Sequence, residues 1–389
     1  MAGKRASVVI SLKFSQKRVL MFLFALSMVF AAEFGLVSLQ AIAQTGWLAE
    51  WQRVLEAARK DGKVVAGIPA SAELRRVLEK AFGERFPGIQ LELTPGPAPM
   101  IASRIVNEYK SGVRNFDVFL SGSGSALALV SEGVIEPFEP YMILPEVKDP
   151  KNWFGGHIWV DNVTTKRFIY AFQAYVTEPG YYNADLVKPE EIRSYDDLLN
   201  PKWKGKIGIH EPRRQGAGQA VWIYLWSVKG ESYLKAFAAQ DLVVSADYRQ
   251  LGELLVKGKL ALALGATYST LLPFIQAGLP VKPMAVPREG IHATIGFGAV
   301  TVIKNPPHPN AAKVFVNWLL GKEGQEIYGR AVGNASRRLD VDTKWLLGIG
   351  VQAAKDHLTV EEYLRRESFF EDKMSLRQPA EDLAKRLLK

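Results

Sequence analysis

The chain has 389 residues, 48% hydrophobic and 23% charged, the balance of a globular protein able to bury a sizeable core. Cysteine is absent, which excludes disulfides, thiolate metal sites, cysteine nucleophiles and a lipid anchor on an N-terminal cysteine. The net charge of +9 lies partly in residues 1–43, and the rest is spread along the chain without a basic stripe interleaved with aromatics, so nucleic acid is not the expected partner.

Lys17-Arg18 precedes an apolar run, Val19–Ala32, and the segment closes on Ala41-Ile42-Ala43. A basic start, an apolar middle and an A-x-A site predict a secretory signal over residues 1–43, cleaved to leave Gln44 first. The run is shorter than the ~20 residues a bilayer span needs. The mature chain is expected in the periplasm.

Next comes an amphipathic helix, Leu48–Lys60, then a short apolar strand, Lys63–Ile68. Ser71 is placed to cap the helix Ala72–Phe86. A strand at Ile89–Leu93, a Pro-rich loop at Thr94–Pro99 and a helix at Met100–Ser111 follow. The strand Phe116–Leu120 then runs into Ser121–Ser125, which opens the helix Ala126–Glu132. This alternation predicts a parallel sheet with helices on both faces, whose ligands sit beyond the carboxyl ends of the strands.

The middle reads as a second α/β unit. It holds one long aromatic strand, Phe168–Val176, then a short helix at Ser194–Leu199 and a strand at Pro201–Ile209. Arg213–Gln219 opens the helix Ala220–Trp226. A helix at Tyr248–Lys257, a strand at Ala261–Leu264 and a rim loop, Gly265–Tyr268, complete the unit. A strand at Ile295–Lys304, a helix at Ala311–Gly321 and further helical segments carry the chain to Lys389.

Five stretches in this order resemble the type II periplasmic binding proteins, in the branch that includes ferric-iron-binding proteins. They are FDVFLSGSGSALALVSEGVIEPF, YYNADLV with SYDDLLNPKWKGKIGI, KGKLALALGATYS, VTVIKNPPHPNAAKVFVNWLLGKEGQEIY and GNASRRLDV. The resemblance implies a two-lobed α/β fold, each lobe a mixed sheet flanked by helices, with two hinge crossings near Ala171–Pro179 and Gly290–Ile295. Lobe 1 is expected over residues 44–174 and again over 293–340, lobe 2 over 175–292, and C-terminal helices over 341–389. It further implies a monomeric receptor, not an enzyme, that needs no cofactor and delivers a small molecule to the permease subunits of an ABC importer.

Candidate ligand contacts follow from the rim loops. Arg213, Arg214 and Gly216 lie between a strand and a helix start, where free N–H groups and the helix dipole favour an anion and an Arg can clamp a carboxylate or phosphonate. Ser121, Ser123 and Ser125 offer hydroxyls in the same geometry, and Ser71 a further one, although a plain N-cap role accounts for it. Thr267 and Tyr268 lie on the third rim loop. Tyr268 stands where the iron-binding relatives place a tyrosine pair, and its second member is missing here. The first two rim loops also lack acidic or His ligands, so no metal is expected unless Tyr268 holds iron; one phenol is a poor set for hard ferric iron. The expected ligand is a small organic anion: a carboxylate, phosphonate or sulfonate. Ferric iron with a bound anion is the alternative within the family, and an exported hydrolase the alternative outside it. G-x-S-x-G, G-x-x-x-x-G-K-[ST] and H-E-x-x-H are all absent from the sequence.

Overall fold

A computed structural model describes residues 46–164, 166–176, 178–367 and 369–388. The expected signal segment therefore lies outside the described residues. The chain divides into two compact units, Met1–Arg53 and Val54–Lys389. Of the first, residues 46–53 are described and are helical. The second holds every sheet found among the described residues.

Its first lobe is built on strands β1 (Lys63–Ile68), β2 (Gln90–Pro95), β3 (Val118–Ser121) and β4 (Ile135–Glu136), with helices α1 (Ala72–Arg85), α2 (Ala98–Lys110) and α3 (Ser123–Ser131) between them. β1 pairs in parallel with both β2 and β3, which requires a crossover helix each time. The apolar faces of those helices fill the core: Leu74, Leu78 and Phe82 of α1 are fully buried. Ser71 caps α1, its Oγ accepting from the Leu74 N–H at 3.1 Å. α3 begins three residues before the predicted helix, so Ser123 and Ser125 sit in its first turn rather than in a loop.

The second lobe is a five-stranded sheet in the order β11-β7-β10-β8-β9. Its strands are β7 (Gly180–Asn183), β8 (Ile207–His210), β9 (Val243–Ser245), β10 (Leu262–Leu264) and β11 (Val281–Pro283). β8 pairs in parallel with β9 and β10, and β7 is antiparallel. Helices α4 (Ala217–Ala238), α5 (Tyr248–Val256) and α6 (Tyr268–Gln276) supply the crossovers. α4 is far longer than the predicted Ala220–Trp226 and is broken at Gly230, whose φ is 79°. The predicted strand Pro201–Ile209 is shorter: Pro201–Trp203 is a 3-10 turn capped by the Asn200 side chain, and β8 starts only after the left-handed Gly205.

Two other strand readings need correcting. Phe168–Val176 is not one strand but two short ones, β5 (Tyr170–Ala171) and β6 (Tyr175–Val176). The segment changes partners midway: β5 pairs with β13 (Ala299–Ile303) of the first sheet, and β6 with β12 (Ala293–Thr294). Ile295–Lys304 is likewise divided into β12 and β13, with a turn closed by Gly298 N–H to Ile295 O at 2.8 Å. Gly296 is left-handed there, and a Cβ on it would run into the Tyr175 hydroxyl. β13 inserts antiparallel between β3 and β4, so the returning chain completes the first sheet, order β2-β1-β3-β13-β4. Helices α7 (Pro309–Leu320) and α8 (Lys322–Val332) then pack on the first lobe.

The remaining chain is a strap across both lobes. Strand β14 (Gln352–Ala353) joins β6 and β12 in a three-stranded sheet between the lobes. Tyr363 of α9 (Val360–Arg366) and Phe370 lie in the apolar core of lobe 1. Ala380, Leu383 and Ala384 of α10 (Met374–Leu387) lie in the core of lobe 2. There the Trp222 indole N–H donates to Ala380 O at 3.2 Å. No described helix is long and apolar enough to cross a membrane.

Candidate ligand-binding site

Three helices start at one cavity. It has a volume of about 340 Å³ and is lined by Gly122, Ser123 and Ser125 from lobe 1 and by Gln215, Gly216, Ala217, Thr267 and Tyr268 from lobe 2, among others. This is the small end of the ligand-pocket range of about 300–1,000 Å³. Its walls join sequence segments more than 250 residues apart.

On the lobe 1 side, β3 ends at Ser121 and Gly122 caps α3 in extended conformation without a side-chain bond. The Ser123 hydroxyl is buried, only 3% of the residue being exposed, and has no hydrogen-bond partner. A buried polar atom without a partner is costly, so this one is set up to receive something.

On the lobe 2 side, the start of α4 is packed around glycine. A Cβ at Gly218 would overlap the His210 carbonyl, and one at Gly216 would press on the Tyr248 hydroxyl at 3.1 Å. The absence of those side chains lets the helix tip settle onto the end of β8. Tyr248 lies flat on the His210 ring, with centroids 3.6 Å apart and planes parallel. Its Oη accepts the Ala217 N–H at 3.3 Å. Burial lowers the His210 pKa to about 4, so the ring is neutral at neutral pH. The phenols of Tyr248 and Tyr268 are pushed up by burial and stay protonated.

The back of the cavity is the inter-lobe sheet and its surroundings, with Tyr175, Glu178, His292 and Thr294. His292 is buried, its pKa also lowered to about 4 by desolvation, and its Nδ1 has no partner. Asn334, just after α8, lines the cavity while its Nδ2 donates to Gln173 Oε1 at 3.3 Å. Val351 and Phe369 of the strap complete the wall. Among the described residues none of those lining the cavity is Lys or Arg, and Glu178 is the single acid. The lobes also touch across the cavity: the Gln215 carboxamide occupies the space a Cβ on Gly124 would take, and the Tyr268 ring lies over Gly333.

The model of a family described as bacterial extracellular solute-binding protein matches residues 66–326. The chain belongs to that family. Members bind small solutes and pass them to ABC permeases, which accounts for a cavity between two lobes. The iron uptake protein A1 of Synechocystis is 27% identical over 257 residues, covering 61% of this chain and 66% of that protein. Among solved structures, the Trichodesmium protein IdiA (FutA) in complex with iron and citrate ligands aligns with a TM-score of 0.62 at 20% identity, over 84% of this chain and 99% of that one. The periplasmic binding protein AfuA from Actinobacillus pleuropneumoniae, with fructose-6-phosphate bound, aligns at 0.60 and 18%, over 83% and 99%. These likenesses establish the two-lobed fold of the solute-binding proteins and its relation to the iron-binding branch.

The nine residues singled out in the sequence are divided by this geometry. Ser123, Ser125, Gly216, Thr267 and Tyr268 line the cavity. Ser71, Ser121, Arg213 and Arg214 do not. Ser71 caps α1, and Ser121 Oγ bonds the Gly122 carbonyl at 3.1 Å. Arg213 folds back onto Glu211 in a bidentate pair at 2.7 and 2.8 Å, which holds that carboxyl below the usual range. Arg214 is exposed. Sequence reasoning missed Tyr175, Glu178, Tyr248, His292, Val351 and Phe369. Each comes from a segment whose local pattern announces only a strand, a helix or a tail.

Proposed function

We propose that this solute-binding protein carries a small organic anion, a carboxylate, phosphonate or sulfonate, to an ABC permease. The observation that carries the reading is the convergence of the α3, α4 and α6 N-termini on one cavity beside the orphaned Ser123 hydroxyl. The starts of α3 and α6 carry no side-chain cap, and with the α4 start the positive ends of three helix dipoles favour negative charge without any cationic side chain. Neutral His292 and the hydroxyls of Tyr248 and Tyr268 add hydrogen bonds that orient the ligand.

Native mass spectrometry of the protein as purified is expected to find a retained small anion. Thermal unfolding with a panel of carboxylates, phosphonates and sulfonates should show a concentration-dependent rise in Tm, since a ligand of the folded state stabilises it by mass action. A flat response across the panel overturns the reading.

A second reading is ferric iron held with an anion, favoured by the alignment with the protein bound to iron and citrate. Tyr175, Tyr248 and Tyr268 line the cavity, but Tyr248 Oη already accepts the Ala217 N–H. Among the described residues there is no cluster of three or more His, Asp or Glu suited to a metal. A visible tyrosinate–iron band on adding ferric citrate, lost in Tyr268→Phe, would establish it.

A further inference from the structure

The C-terminal strap does more than tie the lobes together, because it reaches the cavity. Val351 immediately precedes β14, and Phe369 follows α9; both are buried and both line the wall. Phe369 is held from several sides. Its N–H donates to Glu367 Oε1 at 2.9 Å, Arg377 donates to its carbonyl, and the Arg377 guanidinium lies 4.9 Å from its ring centroid. A ring fixed in this way is a preorganised apolar surface.

Charge is distributed unevenly around the same space. The helix starts favour a negative group on one side, where the buried Ser123 hydroxyl waits unpartnered. The wall also holds the Glu178 carboxyl, and Gly350, next to Val351 of the strap, lies against it. Among the described residues no Lys or Arg lines the cavity, Arg377 stacking on the Phe369 ring without forming part of the wall. A second anionic group would lose its water with no cation in contact to offset the loss.

We propose that Phe369 and Val351 are specificity-determining residues that select a monoanion with a compact apolar body, an aromatic or branched monocarboxylate above all. The proposal rests on the anion reading above and narrows it. The acid group sits against the starts of α3, α4 and α6. The hydrocarbon part lies against the strap. Dicarboxylates, tricarboxylates and sugar phosphates are turned away by their second charge, which meets Glu178 and the apolar strap with no cationic side chain on the described wall.

Isothermal titration calorimetry of the full chain with benzoate, phenylacetate, isovalerate, acetate, succinate, citrate and fructose-6-phosphate tests this. Benzoate, phenylacetate or isovalerate is expected to bind at least 100-fold more tightly than succinate, citrate or the sugar phosphate. Phe369→Ala should weaken the best of these monocarboxylates about tenfold through lost apolar contact, and Phe369→Leu should recover part of that. Acetate, too short to reach the strap, should be affected less than threefold by either change. Equal or tighter binding of citrate or succinate overturns the proposal while leaving the anion reading intact. Equal loss of acetate and benzoate affinity in Phe369→Ala overturns it too, as the mark of a structural rather than a selective role. Failure of all seven to bind overturns the proposal, and the anion reading then falls only if the phosphonates and sulfonates of the thermal panel give no rise in Tm either.

Discussion

The two lobes present helix starts to the same cavity but build them differently. In lobe 2 the tip of α4 is closed in on itself: glycines at 216 and 218 admit the His210 backbone and ring, Tyr248 stacks on that ring, and its hydroxyl already serves the Ala217 N–H. In lobe 1 the tip of α3 is unfinished, with no side-chain cap and a buried Ser123 hydroxyl that bonds to nothing. The contrast teaches that the α4 tip is braced by its own neighbours and offers the ligand a fixed dipole and the Tyr248 hydroxyl, whereas the α3 tip keeps a whole hydroxyl in reserve for it. Stability should therefore respond more to changes in the first and affinity more to changes in the second.

The sharpest way to break this contrast is a pair of glycine substitutions. Gly218→Ala drives a methyl into the His210 carbonyl, which is backbone and cannot step aside, so a loss of roughly 3 kcal/mol is expected in chemical denaturation. Gly124→Ala meets only the mobile end of Gln215. It should cost little stability yet weaken ligand binding several-fold by opening the contact between lobes. Comparable losses of stability in both variants would erase the distinction.

Acid probes the same interior by another route. His210 and His292 titrate near pH 4 in the fold and near 6.5 when unfolded, because burial disfavours the imidazolium. Between those values the unfolded chain binds more protons, so stability is complete above about pH 6.5 and falls as pH drops towards 4. The expected slope is about 1.4 kcal/mol per pH unit for each buried histidine. His292→Gln should reduce the slope of unfolding free energy against pH in this window; an unchanged slope would contradict the assignment.

The smallest effects separate the rims most directly. Tyr248→Phe leaves the Ala217 N–H without its acceptor and should cost about 1 kcal/mol. Ser123→Ala removes a hydroxyl that bonds to nothing in the fold, so the melting temperature should hold or rise slightly while the affinity for the bound anion falls about tenfold. A drop in stability without a change in affinity would show Ser123 to be structural.

Much of the frame was legible because local signals agree with the final structure. Lys63–Ile68 is a strand in both readings, Ser71 caps the helix after it, and the strand-then-helix order of each lobe follows from apolar periodicity. The rim loops could be placed since a parallel sheet puts them all at one edge. Legibility ends where a residue's role depends on partners far along the chain. Phe168–Val176 reads as one strand because nothing local records that its halves pair with different sheets. Arg213 looks like an anion clamp until the fold sets Glu211 against it. Tyr248, His292 and Phe369 reach the cavity only through topology, and the helical periodicity of the tail does not record which lobe each of its segments packs against.

The seating of α10 on lobe 2 makes that lobe a composite. Trp222 in α4 is fully buried, and its indole N–H finds its acceptor at Ala380, more than 150 residues along the chain. Leu383 and Ala384 fill the seam beside it. Without α10 the central helix of lobe 2 would carry a greasy furrow, so the lobe borrows part of its interior from a segment that first passes over its neighbour.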